Sequence, residues 1–354
     1  MLLERSSPIS LESEKAGHMI GYRLHPDLNI SETLNTKEEL PDFMWQGKIP
    51  WIAHRLLLGA AVLIGCLLAF APNANARDTG FRTFHLKAAG TAMTVYAYRP
   101  LFCRHPSILF VFHGLHRKAS KVRKKAANIA RDACLVVLAP LFDKERFPNW
   151  RYHRAGVVYR GKPTPRSQWT APILRGLIAA ARDALNLPTA KIYLFGHSAG
   201  GQFLSRVSAY SPLPEIARIV IANPSVYVAP DLSTPAPYGF GGLFSPLKAR
   251  QRLKAYLALP ITLYLGQNDT GNKYLVRNDA AMRQGRHRLD RGRKIFRAAQ
   301  RFAADKGWPF NWRLVEVPGV GHSSGGMLRA AAFYRALGIR ARSLEPTWDK
   351  QQAG

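Results

Sequence analysis

The stretch over residues 191–211, KIYLFGHSAGGQFLSRVSAYS, constrains the fold more than any other part of the chain. It opens with an apolar run, residues 192–195, of the kind that forms a buried parallel strand. The run breaks at Gly-His-Ser-Ala-Gly and resumes with Phe203, Leu204 and Val207 at helical spacing. These residues predict a strand, a tight turn and a helix in direct succession.

Ser198 lies at the tip of this turn. A G-x-S-x-G motif between a strand and a helix is the setting in which a serine becomes an exposed nucleophile. Gly196 and Gly200 lack side chains that would collide with the neighbouring backbone. Ala199 is the first residue of the predicted helix. Its backbone N–H is expected to point to the group that Ser198 attacks, as an oxyanion donor does. The alternative interpretation is a glycine-rich turn without chemistry.

The rest of the chain predicts a sheet into which this turn fits. Residues 81–87 and 93–98 indicate an antiparallel hairpin, and six further strands are predicted at 107–112, 134–139, 192–195, 217–222, 261–266 and 311–317. Helical patterns separate most of them, at 120–132, 171–185, 246–257, 290–306 and 327–337. This alternation predicts an α/β fold with a mostly parallel eight-stranded sheet and helices on both faces.

Two long segments without a clear period interrupt this pattern, at residues 141–170 and 225–246. Both are rich in proline, glycine and aromatic residues. Long loops in compact domains are more often functional lids than linkers. We therefore expect lid-like insertions that wall the substrate pocket and favour an apolar acyl or aryl group.

A nucleophilic serine needs a base and an acid, in the chain order Ser, Asp, His. Asp269 follows the strand 261–266, at the carboxyl end where α/β sites lie. Asp231, within the second insertion, is the runner-up for the acid. His322 follows Val-Pro-Gly-Val-Gly between the last strand and the last helix, where a mobile imidazole is expected. We predict a catalytic set of Ser198, Asp269 and His322.

Two other histidines lie close to these motifs in sequence. His197 adjoins Ser198, but consecutive residues at such a turn point apart, so we expect it to pack beneath the turn. His113 follows the strand 107–112 and is expected to buttress the next loop.

The His-Gly-Leu turn at Leu115, GHSAGG, the Asp269 loop and GVGHS together resemble the α/β-hydrolase superfamily, most of all the bacterial esterases related to polyhydroxybutyrate depolymerases. The resemblance spans about residues 81–337. It implies an α/β-hydrolase fold and ester hydrolysis without a metal or organic cofactor, on a small-molecule or oligomeric ester. By the same resemblance, the Leu115 N–H is the second oxyanion donor.

Two other classes of function stay open from the sequence. One is a serine peptidase or an acyltransferase on the same scaffold. The other is a non-catalytic protein that binds anionic envelope surfaces. An intact set of Ser198, Asp269 and His322 argues against the second class, because binding needs none of them.

The N-terminal part predicts export. Met44 is followed by Lys48, His54, Arg55, an uncharged apolar run at 56–70 and the small-residue motif Ala74-Asn75-Ala76, which is the grammar of a signal peptide. We predict a disordered or mis-assigned extension at 1–43, a signal peptide at 44–76 and a hydrolase domain at 77–354. The protein would then be periplasmic or secreted. An uncleaved membrane anchor at 56–70 and lipidation at Cys66 are the alternatives.

The chain is strongly basic, with 51 Lys and Arg against 22 Asp and Glu and a net charge of +29. Basic residues concentrate at 116–131 and 282–301. Helical spacing in the second run places its arginines on a solvated face. Neither run carries a zinc pattern or a recognition-helix signature, so specific nucleic-acid binding is not expected. An anionic envelope surface is a possible partner. The sequence does not indicate an oligomeric state.

The predicted domain contains two cysteines, Cys103 and Cys134, near the starts of two strands that are neighbours in such a sheet. Export would permit a disulfide between them. Two unpaired buried thiols are the alternative.

Overall fold

A sheet of eight strands forms the centre of the computed structural model, which describes residues 80–340. The strands are β1 (Phe81–Ala88), β2 (Thr91–Tyr98), β3 (Ser107–Phe112), β4 (Leu135–Pro140), β7 (Ile192–His197), β8 (Arg218–Ala222), β9 (Ile261–Gly266) and β10 (Arg313–Val317). Their spatial order is β1-β2-β4-β3-β7-β8-β9-β10. Within this sheet β2 runs antiparallel to both of its neighbours, and all pairs from β4 to β10 are parallel. The predicted eight-stranded, mostly parallel sheet is therefore confirmed.

Helices cover both faces of this sheet. They are α1 (Ala119–Asp132), α2 (Asn149–Tyr152), α3 (Ala171–Leu185), α4 (Ala199–Tyr210), α5 (Pro246–Ala258), α6 (Asp279–Gln284), α7 (Arg288–Asp305), α8 (Ser324–Arg329) and α9 (Ala332–Leu337). A two-stranded ribbon, β5 (Val158–Tyr159) with β6 (Lys162–Pro163), lies in the first insertion. Among residues 80–340 no helix has the length and apolarity that a membrane span requires.

The two faces of the sheet bury two separate clusters of apolar side chains. Ile108 and Phe110 of β3 belong to the cluster that contains α3, α4, α5 and α7. Leu109 and Val111 belong to the cluster that contains α1, α8 and α9. Because successive strand residues point to opposite faces, a continuous apolar strand such as β3 serves both clusters at once.

The C-terminal helix predicted at 327–337 is instead two short helices, α8 and α9. Ala330 is extended between them, with φ −67° and ψ 134°. The helix α6 and the short α2 were not predicted, because four to six residues are too few to show a helical period. For α6, the signal is the side chain of Asn278, which accepts a hydrogen bond from the Ala281 N–H as an N-cap.

No disulfide joins Cys103 to Cys134; both side chains are buried. The predicted extension at 1–43, the signal peptide at 44–76, the run at 56–70 and Cys66 lie outside the described residues.

Helix α3 lies very close to the β1–β2 hairpin. A Cβ atom at Gly176 would lie 2.8 Å from the backbone N of Ala89 and 3.0 Å from the Cα of Ala88. Backbone atoms cannot move aside as a flexible side chain can. The glycine is therefore required by packing, although glycine disfavours helix formation.

We predict that Gly176→Ala lowers the free energy of unfolding by about 1–3 kcal/mol through overpacking. Helix propensity alone predicts the opposite sign, a gain of about 1 kcal/mol. Urea unfolding followed by circular dichroism measures the difference. Ala179→Gly, at an exposed position of the same helix, calibrates the propensity effect. A Gly176→Ala protein as stable as the parent would contradict the close packing.

Candidate active site

Ser198 occupies a strained turn between β7 and α4. Its backbone lies at φ 58° and ψ −114°, a region that non-glycine residues rarely adopt. The Ser198 N–H donates to the carbonyl O of Ala222 at 2.9 Å. A Cβ atom at Gly200 would lie 2.5 Å from the carbonyl O of Phe112, and one at Gly196 would collide with the Gly200 backbone. The two glycines therefore allow the close approach that sets Ser198 at the tip.

The structure brings Ser198, His322 and Asp269 into one hydrogen-bonded series. His322 Nε2 lies 3.0 Å from Ser198 Oγ, and His322 Nδ1 lies 2.7 Å from Asp269 Oδ2. Asp269 follows β9, and His322 follows β10. Parallel strands end at one edge of the sheet, so loops far apart in sequence meet there. The arrangement can transfer a proton from the serine hydroxyl to the imidazole.

Asp269 is almost fully buried, with 1% of its surface exposed, and is held by a buried arginine. Arg288 Nη1 lies 3.4 Å from Asp269 Oδ1. The same guanidinium donates to the carbonyl O of Gly271 at 3.3 Å and of Lys273 at 2.7 Å. A buried carboxylate is costly unless it is paired. Arg288 provides this partner for Asp269 and holds the loop that follows it.

Sequence analysis missed Arg288, and its placement of the arginines of 282–301 on a solvated face is wrong for two of them. Arg288 and Arg291 are 1% and 0% exposed. Arg291 donates to the carbonyl O of Gly285 at 2.9 Å and to that of Ser225. The signal was present in the spacing, because residues 288 and 291 are in phase with the buried Ile295 on α7.

Asp231, the runner-up for the acid, has a different environment. Its carboxylate accepts hydrogen bonds from the Ser233 N–H and hydroxyl at 2.8 and 2.7 Å and from the Thr234 hydroxyl. Partial burial raises the pKa of Asp231, but these hydrogen bonds outweigh that effect and lower it. The residue caps a turn within the second insertion, and the contact with His322 belongs to Asp269.

The ring of His197 packs against that of His322, with centroids 4.6 Å apart. Burial, followed by the neighbouring His322 and Arg288, lowers the pKa of His197 well below its usual value, so the ring stays neutral. His197 therefore packs beside the imidazole of His322 and not only beneath the turn.

His113 supports the next loop, as its sequence position indicated. Its Nε2 accepts the Phe142 N–H at 3.0 Å, and its carbonyl O accepts the Tyr152 hydroxyl at 2.7 Å. Nε2 therefore carries no proton, and Nδ1 faces the Gly114 carbonyl O at 3.2 Å. Burial lowers the pKa of His113 to about 4.

The two residues predicted to supply oxyanion donors are Ala199 and Leu115. Ala199 is the first residue of α4, and Leu115 lines the cavity that contains Ser198. Within residues 80–340 neither N–H donates to another backbone group. Their role as oxyanion donors stays a prediction.

The cavity at Ser198 has a volume of about 530 Å³. It is lined by the loop after β3, one face of α1, the loop after Asp269 and the loop at His322. The structure describes all of 141–170 and 225–246, and none of these residues lines it. The insertions contribute to a second cavity of about 490 Å³. The expectation that they wall the pocket at Ser198 is therefore wrong.

The aromatic residues of the first insertion are used in packing instead. Phe142 and Tyr152 stack with centroids 5.0 Å apart, and each lies 5.3 Å from the ring of Phe203 on α4.

No group of three or more His, Cys, Asp or Glu side chains within 80–340 is placed to hold a metal ion.

Comparison with known proteins places this fold and site in a family. The chain is 31% identical to the poly(3-hydroxybutyrate) depolymerase LpqC from Bordetella parapertussis, with a TM-score of 0.67 over 74% of this chain and 92% of that one. It is 33% identical to poly(aspartic acid) hydrolase-1 from Sphingomonas sp. KT-1, with a TM-score of 0.66 over 72% and 97%. No protein-family model matches the chain, and neither does any curated protein.

The chain therefore belongs to the α/β-hydrolase superfamily. Within it, the chain shares a family with these two bacterial hydrolases, as its resemblance to the polyhydroxybutyrate depolymerases indicated.

We predict that acid destabilises the protein through its buried histidines. Burial lowers the pKa of His113 to about 4 and that of His153 to about 3. The unfolded rings take up protons near pH 6.5, whereas the folded rings stay neutral. Stability is therefore complete above about pH 6.5 and falls as the pH drops, by about 1.4 kcal/mol per pH unit for each histidine.

Urea unfolding at a series of pH values between 7 and 4 measures this slope. His153→Phe should reduce it by about one proton, or about 1.4 kcal/mol per pH unit. His105→Gln is the control, because that side chain is exposed. An unchanged slope in His153→Phe would show that His153 does not stay neutral in the fold.

Proposed function

We propose that the protein is a serine hydrolase that cleaves carboxylic esters through an acyl-enzyme. The observation that carries this proposal is the series from Ser198 Oγ through His322 to Asp269, with distances of 3.0 and 2.7 Å. A protein that only binds a ligand does not need these two hydrogen-bonded contacts. The class of reaction agrees with the hydrolase family to which the chain belongs.

In the first step Ser198 Oγ attacks the carbonyl carbon, and His322 Nε2 takes its proton. Asp269 accepts a hydrogen bond from His322 Nδ1, which fixes the tautomer that leaves Nε2 free to accept. The positive charge that forms on His322 faces the Asp269 carboxylate. Arg288 contacts the other oxygen of that carboxylate.

The tetrahedral intermediate carries a negative charge on the former carbonyl oxygen. The N–H groups of Ala199 and Leu115 are the proposed donors to this oxyanion. One such donor contributes about 3 kcal/mol to transition-state stabilisation. Ala199 is the first residue of α4 and directly follows the nucleophile, so its N–H is part of the folded site before substrate binds.

The intermediate collapses when the C–O bond to the alcohol breaks and His322 returns its proton to the leaving oxygen. Water then attacks the acyl-enzyme, with His322 as base, and releases the acid and Ser198. This sequence needs neither a redox partner nor a second substrate besides water.

The substrate is proposed to be a small or oligomeric ester. One relative is named as a poly(3-hydroxybutyrate) depolymerase, and that polymer is a polyester. The other is named as a poly(aspartic acid) hydrolase, and that polymer is joined by amide bonds. Amide hydrolysis by the same residues is therefore the second candidate, since one triad can serve both leaving groups.

We predict that Ser198→Ala and His322→Ala each lower kcat by at least about 1,000-fold, and that the double variant loses little more, because the residues act as a unit. Asp269→Asn should be severe, because the amide disturbs the tautomer of His322. Asp231→Asn is the matched control and should keep nearly full activity. The measurements are hydrolysis of 4-nitrophenyl esters and of peptide anilides.

Labelling with a fluorophosphonate probe tests the nucleophile directly. The parent protein should be labelled, and Ser198→Ala should not. A folded parent protein that refuses the probe and cleaves neither substrate type would support a binding protein instead. Faster cleavage of anilides than of esters would favour the amide hydrolase.

We also propose that the protein acts outside the cytoplasm, on the basis of the signal-peptide pattern from Met44. Cleavage after Ala76 would give a protein that begins Arg77-Asp78-Thr79. N-terminal sequencing of protein from the periplasm or medium should read these residues. Protein that retains Met1 and stays in the cytoplasm would overturn the proposal. An anionic envelope surface remains its proposed partner.

A further inference from the structure

Four lysines line the cavity that contains Ser198. Lys118 is the N-cap of α1, Lys121 and Lys125 lie in its first two turns, and Lys273 comes from the loop after Asp269. All four side chains are exposed. Apart from Asp269, no carboxylate lies among the lining residues, all of which the structure describes.

The charge of Asp269 is already compensated. Its two oxygens contact Arg288 and His322. Lys125 donates to the Ser324 hydroxyl at 3.0 Å. Among residues 80–340, no carboxylate forms an ion pair with the three other lysines. The cavity therefore presents positive charge without an internal counter-ion.

The position of these lysines on α1 is specific. Lys121 and Lys125 are four residues apart, so they share one face of the helix and lie about 6 Å apart along its axis. Lys118 is the N-cap residue directly before the helix. Val122, on the adjoining part of the helix, lines the same cavity. Lys124 is also exposed but does not line the cavity. Lys124 therefore offers an internal control for the lysines that do line it.

Charges beside a partly enclosed cavity act more strongly on a ligand than charges elsewhere on the surface, because the protein walls focus the field. The effect of distant surface charges is screened within about 8–10 Å at physiological ionic strength. The overall charge of +29 therefore cannot substitute for lysines that line the site.

The loop after Asp269, which carries Lys273, forms a second wall of the cavity. Tyr274 of this loop makes an edge contact with His116 in the loop after β3, with ring centroids 5.7 Å apart.

We propose that the substrate carries a carboxylate, which the lysines of this cavity bind while Ser198 attacks the ester carbonyl. This specificity rests on the proposed esterase function. The sequence-based expectation of an apolar acyl group depended on the two insertions, which do not line this cavity. The structure points instead to an anionic acyl or alcohol group on the ester.

The test compares two esters of the same chain length, 4-nitrophenyl hexanoate and the 4-nitrophenyl monoester of adipic acid. They differ in a terminal methyl and a terminal carboxylate. The measured quantity is the ratio of kcat/KM for the adipate ester to that for the hexanoate ester. Lys121→Glu and Lys273→Glu, singly and combined, reverse the charge on the two walls. Lys125 is left intact because it holds Ser324.

The combined variant should lower the ratio by at least about tenfold, because two attractive charges become repulsive. Lys124→Glu changes the net charge as much as either single variant and should alter the ratio by less than about twofold. In the parent protein, a rise in salt from about 0.02 to about 0.5 M should lower kcat/KM several-fold for the adipate ester and much less for hexanoate.

The possible results separate the two proposals. Hydrolysis of both esters with an unchanged ratio in the combined variant would overturn the carboxylate specificity and leave the esterase proposal intact. An equal fall in the ratio for Lys124→Glu would mean that only the overall charge matters, which also overturns the specificity. A parent protein that hydrolyses neither ester and refuses the fluorophosphonate probe would overturn both proposals. Retained hexanoate hydrolysis in a variant shows that it is folded.

Discussion

The backbone of Ser198 is the constraint on which the rest of the site depends. A non-glycine residue at φ 58° costs about 1–3 kcal/mol, and it persists only where the surroundings over-determine it. Here β3 and β8 hold the turn from both sides: Phe112 packs against Gly200, and Ala222 accepts the Ser198 N–H. These strands lie in the buried centre of the sheet. His322 and Asp269 need only follow neighbouring strands to reach the serine, because parallel strands end together.

Buried arginines hold several loops in place, a role that the basic composition of the chain does not reveal. Arg117 donates to the carbonyls of Phe142 and Phe147 at 3.1 and 3.0 Å, and Arg206 donates to that of Val226 at 2.9 Å. Arg288 and Arg291 do the same for the loops around Asp269. A guanidinium can satisfy several carbonyls at once, and it is less strongly hydrated than an ammonium group. Around the site, these buried arginines hold loops in place, whereas the four lysines that line the cavity are exposed.

Much of this could be predicted from the sequence, for identifiable reasons. The strands β3 and β9 and the helix α3 have the predicted bounds, because their apolar periods are strong and turn residues flank them. Ser198, Asp269 and His322 lie together because chain order and strand ends define the edge where they meet. The break between α8 and α9 could not be predicted, since it falls in Ala330-Ala331-Ala332, residues that favour a helix. The packing position of the two insertions could not be predicted either, because aromatic composition does not show which surface the rings pack against.

The packing of the first insertion changes how this protein can be engineered. Exchange of loops between related enzymes is a common way to alter specificity, and it assumes that the loop is separable from the catalytic scaffold. Here Phe142 and Tyr152 rest on Phe203, which lies in the helix that begins directly after Ser198. Replacing residues 141–170 would remove side chains against which that helix packs. The exchangeable parts are instead the exposed side chains of α1 and of the loop after Asp269, which can be redesigned without disturbing the core.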